Sequence, residues 1–105
     1  MSKVAILVAC YNRKAMTLRL LARLRDATSG WADHDFSVFL VDDKSPDGTG
    51  DAVRSAFPAV TVIEGTGNLF WNRGMCVAYA AAAARGPWSH YLLINDDLDL
   101  FPEEF

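Results

Sequence analysis

The chain has 105 residues, 51% of them hydrophobic and 22% charged, which suits one domain with a modest single core and excludes a disordered segment. The formal net charge is −3 and the ten Lys and Arg are scattered, so the electrostatic footprint of a nucleic-acid partner is missing. No apolar run approaches the roughly 20 residues of a membrane-spanning helix, and the opening MSKVAILVACYN lacks the small-residue cleavage pattern of a secretory signal.

The first predicted element is KVAILVAC (residues 3–10), a continuous apolar, β-branched-rich run of strand length that fits a strand covered on both faces. RKAMTLRLLARLRDA (13–27) follows as a helix. Its Leu20, Leu21 and Leu24 form one stripe, Arg19, Arg23 and Arg25 reach solvent, and Gly30 ends it. Asn12 is placed to cap this helix. FSVFLVDD (36–43) is the second strand, and Ser45 to Gly50 are turn formers before a short helix from Asp51 onward.

VTVIEG (60–65) reads as the third strand. NLFWNRGMCVAYAAAAARG (68–86) is an alanine-rich helix stopped by Gly86 and Pro87, and its run Ala80 to Ala84 points to close packing on a sheet. HYLLIND (90–96) is the fourth strand. Pro102, Glu103 and Glu104 suit the first turn of another helix, so the chain is expected to be a piece of a longer protein. Trp31 and Trp88 read as packing residues, His34 and His90 as residues outside any metal constellation, and Cys10 and Cys76 as reduced thiols of a cytosolic protein.

Four strands alternating with three helices predict βαβ units in one domain spanning residues 1–105. The fold class is three-layer α/β, an open, mainly parallel, Rossmann-like sheet of about four strands with flanking helices. Ligands of such sheets bind beyond the carboxyl ends of the strands. CYN, DDKSPDG, EGTGNLFWNRG and NDDLD stand at those four ends. An aromatic ring such as Tyr11 can stack on a nucleobase or pack on the first helix. Asp42 and Asp43 can cap a helix or accept from a ligand. The glycine-containing loop before the third helix, with Arg73, suits a phosphate at a helix N-terminus. Trp71 fits either that loop or the core. Asp96, Asp97 and Asp99 are either a solvated turn before a helix or hard oxygen ligands for Mg2+ or Mn2+.

VACYNR, VDDKSPDGT, GTGNLFWNRGM and LLINDDLDLFP, in this order and spacing, resemble the nucleotide-binding half of the inverting glycosyltransferases of family 2, which have the GT-A fold. The dinucleotide signature G-x-G-x-x-G is absent, because GTGNLFWNRG lacks its third glycine. The resemblance covers residues 3–104 and implies a nucleoside-diphosphate sugar, UDP- or dTDP-linked, as donor. It assigns Asp97 as the leading metal ligand and Asp99 as the runner-up, since 97–99 is a literal D-x-D, with Asp96 on ribose or metal. Asp43 corresponds to the acid that reads a pyrimidine ring N–H, and Asp42 to its neighbour. Tyr11 and the backbone near Ala9 correspond to the base pocket, and Arg73, with Asn72 behind it, to a contact toward the diphosphate or the base.

The resemblance also implies that the catalytic base lies beyond Phe105, on a cytoplasmic protein that is membrane-peripheral in its full length. The acceptor, a saccharide or a lipid-linked glycan, is not legible. Two alternatives stand beside this reading. One is a non-catalytic nucleotide-binding module that dimerises through an exposed sheet edge. The other is a nucleotidyltransferase, disfavoured because ACYNRKA replaces the Gly-rich basic loop after the first strand.

Overall fold

The computed structural model describes residues 2–30 and 34–95. The elements run β1 (Ser2–Cys10), α1 (Lys14–Ser29), β2 (His34–Asp42), α2 (Thr49–Ala56), β3 (Thr61–Glu64), α3 (Phe70–Ala83) and β4 (His90–Asn95). The four strands form one sheet in the order β3-β2-β1-β4, and every pairing is parallel. β1 and β2 pair over their full length, from Ser2 opposite His34 to Cys10 opposite Asp42. The alternation of strands and helices expected from the sequence is therefore the observed architecture.

β1 is central, and its alternating side chains build two cores. Ile6, Val8 and Cys10 face Leu20, Leu21 and Leu24 of α1 and Val53 of α2. Ala5, Leu7 and Ala9 face Met75, Ala78 and Ala82 of α3. Burial on both sides is why the strand reads as an unbroken apolar run; each fully buried Leu or Val contributes about 1.5–3 kcal/mol of transfer free energy. The leucine stripe of α1 is as the sequence predicts. Gly30 ends that helix in an ordinary right-handed conformation, with φ of −84°.

Small residues let α3 lie close to the sheet. A Cβ added to Gly74 would stand 2.9 Å from the Cβ of Ala9. Within the run Ala80 to Ala84, Ala82 is fully buried and Ala81 half-buried, while the other three face outward, so the close approach uses one side of the run. Trp88 packs as expected: its ring stands edge-on to Phe39 at 5.7 Å and its Nε1–H donates to the Ala82 carbonyl at 2.7 Å. β4 is an edge strand, and it leaves Tyr91, Leu92 and Leu93 exposed.

Candidate functional site

Strand order places β2 and β3 on one side of β1 and β4 on the other, so the direction of winding reverses between β1 and β4. That reversal opens a crevice at the carboxyl ends of the strands. The register sets the rim: Cys10 lies opposite Asp42, Asp42 opposite Glu64, and Ala9 opposite Asn95. Beyond the strands, the Asp43 N–H donates to the Cys10 carbonyl at 3.1 Å and the Gly65 N–H to the Asp42 carbonyl at 2.7 Å. The loops leaving β1, β2 and β3 are thus stitched side by side. Each carries one non-glycine residue in the left-handed region: Asn12 (φ 53°), Lys44 (φ 59°) and Phe70 (φ 56°). Such conformations cost about 1–3 kcal/mol each and persist where surrounding contacts enforce them.

A cleft of about 740 Å³ opens on this rim. Ala9, Cys10, Tyr11, Asn12 and Arg13 line it from the end of β1, Asp43 from the end of β2, and Gly67, Phe70 and Trp71 from the loop that becomes α3. Its rings are presented to solvent: Tyr11 is 52% exposed, Trp71 46% and Phe70 75%. Large apolar side chains left in the open around a cleft of this size are the usual dress of a small-molecule site.

Asp43 is 7% exposed and holds the loop before α3. Its Oδ1 accepts from the Gly67 N–H at 2.7 Å, and its Oδ2 from the N–H groups of Leu69 at 3.0 Å and Phe70 at 3.2 Å. Leu69 is the N-cap of α3, so a carboxylate of the chain itself stands at the helix N-terminus where the sequence suggests a phosphate. Asp42, 4% exposed, accepts from the Ser45 N–H at 3.0 Å through Oδ1 and from the Gly50 N–H at 2.9 Å through Oδ2. It caps α2 from within the sheet, which is why that helix begins at Thr49, ahead of the expected Asp51. Asp42 faces a second hollow of about 250 Å³ rather than the main cleft.

Asn12 does not cap α1. The N-cap is Arg13, without a side-chain cap. The Asn12 N–H is bound by Ser45 Oγ at 2.8 Å, and the Lys14 N–H donates to Asp47 Oδ2 at 3.0 Å. The loop after β2 thus caps the helix after β1. Asp47 also accepts from the Thr49 hydroxyl through a short contact and from the Thr49 N–H. The Thr49 hydroxyl bond is the main cause that holds the Asp47 carboxyl below its ordinary value of 3.8, with the backbone donors at Lys14 and Thr49 adding to it.

The structure brings Ala9, Tyr11 and Asp43 into one cleft. Asn72 and Arg73 are exposed on the first turn of α3, next in sequence to the cleft residue Trp71 but not among its lining. Asp96, Asp97 and Asp99 lie outside the described residues, as does Trp31. Among the described residues no group of three or more His, Cys, Asp and Glu could hold a metal ion. Phe70, Gly67 and Arg13 line the cleft without having been singled out in sequence. The one signal for Phe70 is its place in NLFW, an apolar cluster between a turn and a helix start.

The sequence model described as glycosyl transferase family 2 matches residues 5–105. Among solved structures, the mannosyltransferase PcManGT from Pyrobaculum calidifontis, in complex with GDP-Man and Mn2+, superposes with a TM-score of 0.67 at 25% identity, over 90% of this chain and 27% of that one. S. aureus TarS (1–349) superposes with a TM-score of 0.68 at 22% identity, again over 90% of this chain and 27% of that one. The chain therefore spans about a quarter of the length of these structures, and its open parallel sheet is their GT-A fold. No curated protein sequence matches it.

Proposed function

The chain belongs to glycosyl transferase family 2, and from that premise we propose that it is the donor-holding part of an enzyme that transfers a sugar from a nucleoside diphosphate to an acceptor hydroxyl with inversion. The observation that carries this reading is the 740 Å³ cleft at the β1/β4 switch point, in which Ala9, Tyr11 and Asp43 meet the exposed rings of Phe70 and Trp71. That volume lies within the range of pockets that take cofactor-sized ligands. The base and ribose occupy this cleft, and the diphosphate extends toward Arg73 and Asn72 on α3. PcManGT was solved with a guanine nucleotide sugar, so the donor class is a nucleoside-diphosphate sugar without restriction to UDP or dTDP.

In the transfer, the acceptor oxygen forms its bond to the anomeric carbon as the bond from that carbon to the diphosphate oxygen breaks, and the nucleoside diphosphate departs. The acceptor proton passes to a general base. Asp43 is the only carboxylate among the described residues lining the cleft, and its oxygens already accept three backbone N–H bonds. The described lining therefore holds no second carboxylate for that role.

A divalent ion, when bound, neutralises charge on the leaving diphosphate. Asp97 and Asp99, with Asp96 beside them, have the hard-oxygen chemistry that Mg2+ and Mn2+ prefer. Ala9, a cleft residue, pairs with Asn95 at the end of β4. Cys10, buried, and Cys76, exposed, are outside any disulfide and fit a reducing, cytoplasmic setting. Among the described residues, no helix is long and apolar enough to cross a membrane.

Calorimetric titration of the chain with UDP, dTDP and GDP, with and without Mn2+, tests the reading. Binding is expected to strengthen at least tenfold with Mn2+, and Asp97→Ala is expected to remove that gain. Equal affinity of parent and variant would strike out the metal assignment, and no binding by any nucleotide would strike out the donor site.

A second reading, a module that associates through β4, is favoured by the exposed Tyr91, Leu92 and Leu93 on that edge strand. Sedimentation equilibrium separates the two: a dimer lost on Leu93→Lys supports association, and a monomer at all concentrations excludes it.

A further inference from the structure

Asp43 is the residue for which resemblance and geometry give different roles. A carboxylate that reads a base must turn an open lone pair toward the ligand, and of about four such sites the chain itself fills three. Here Oδ2 accepts two N–H bonds, from Leu69 and Phe70, and Oδ1 accepts one, from Gly67. Gly65 also lies close: a Cβ added there would stand 2.7 Å from Oδ1 and 3.0 Å from the Asp43 Cα. The carboxylate is thus wrapped by the backbone of residues 65–70, and the whole residue is 7% exposed. What this wrapping secures is a strained turn. Phe70 is held at φ 56°, a region that a bulky side chain avoids, by a bond from its own N–H to Asp43. The outcome is a ring 75% exposed at the cleft, beside the 46% exposed Trp71 and sharing the cleft with Tyr11.

We infer that Asp43 is a positioning residue: it fixes the 67–70 turn so that Phe70 and Trp71, with Tyr11, grip the nucleobase by stacking, and the cleft admits purine and pyrimidine diphosphates alike. This rests on the nucleotide-donor reading and specifies how that site selects its ligand. Stacking is tolerant because every base has a π-face, whereas a hydrogen-bond acceptor discriminates. Uracil and guanine each present a ring N–H on the pairing edge; adenine presents a bare nitrogen there. A base-reading Asp43 therefore separates ADP from UDP and GDP, and a positioning Asp43 does not.

The experiment is calorimetric titration of the chain with UDP, GDP and ADP in the presence of Mn2+, for the parent, Asp43→Asn and Phe70→Gly, with amide hydrogen exchange on each. The three nucleotides are expected to bind the parent within about tenfold of one another. Asp43→Asn is expected to weaken all three in parallel, with faster exchange at Gly67, Leu69 and Phe70 while the β1 amides keep their protection. Phe70→Gly removes the ring but accepts the left-handed backbone readily. It is expected to bind all three roughly tenfold more weakly, the equivalent of one lost stacking contact, with an unchanged or higher melting temperature.

UDP and GDP binding more than tenfold tighter than ADP, with Asp43→Asn erasing the gap, would show that Asp43 reads the base and overturn the inference while leaving the donor site intact. Undiminished binding by Phe70→Gly would overturn the stacking grip. If no nucleotide binds the parent, the donor reading itself falls and the inference with it.

Discussion

Gly74→Ala is a substitution whose two effects oppose one another with magnitudes the structure supplies. Alanine in a helix interior is favoured over glycine by about 1 kcal/mol. Against this, the new Cβ would stand 2.9 Å from the Cβ of Ala9, and carbon atoms pack comfortably at about 3.5–4.0 Å. A gap of about 0.6–1 Å must therefore open. Ala9 has no rotamer with which to yield, and its strand is paired on both sides, with Val41 and with Asn95. The helix has to lift, loosening Met75, Ala78 and Ala82 from the sheet.

Overpacking of this kind costs about 1–3 kcal/mol, so the net expectation is a loss of about 1 kcal/mol, read as a fall of about 4–8 °C in melting temperature for a domain of this size. Urea denaturation of the parent, Gly74→Ala, Ala9→Gly and the double variant closes the cycle. The double variant removes the collision and is expected to show a favourable coupling of about 1–2 kcal/mol. Gly74→Ala as stable as the parent, or a cycle without coupling, would refute the close-approach argument.

Asp42→Ala orphans the Ser45 and Gly50 N–H groups, two bonds made by a carboxylate 4% exposed, and is expected to cost about 3 kcal/mol in urea denaturation. Trp88→Phe keeps much of the ring packing but loses the 2.7 Å bond to the Ala82 carbonyl, an expected loss of about 1 kcal/mol by the same assay. For Asp47, whose carboxyl is held below 3.8 chiefly by the Thr49 hydroxyl, the folded value lies below the unfolded one. Its contribution is present above the unfolded value and is lost as pH falls through the folded one. Acid titration of stability is expected to be shallower below pH 3.8 in Asp47→Asn than in the parent, and identical acid limbs would refute the linkage.

Much of this protein was legible in its residues alone. KVAILVAC announces a strand covered on both faces, the Leu20, Leu21 and Leu24 stripe announces the inner side of α1, and Pro87 with Gly86 marks the stop after α3. These are local matters of periodicity and backbone permission, so neighbouring residues suffice to decide them. The polar strand ends were legible for the same reason: a chain leaving a buried strand must turn, and CYN, DDKSPDG and GTGN are turn chemistry.

Who bonds to whom at those turns was not legible. Asn12 has the composition of a cap, yet the donors near it are satisfied by Ser45 and Asp47, each 33 residues away in sequence. Asp43 lines the cleft and binds a loop as well. It faces the loop because parallel register sets β2 beside β3, with Asp42 opposite Glu64, and so brings the N–H groups of residues 24 to 27 positions ahead within reach of its carboxylate. Side-chain periodicity is written along a segment, but partners across a sheet rim are chosen by register and crossover, which exist only once the strands have assembled.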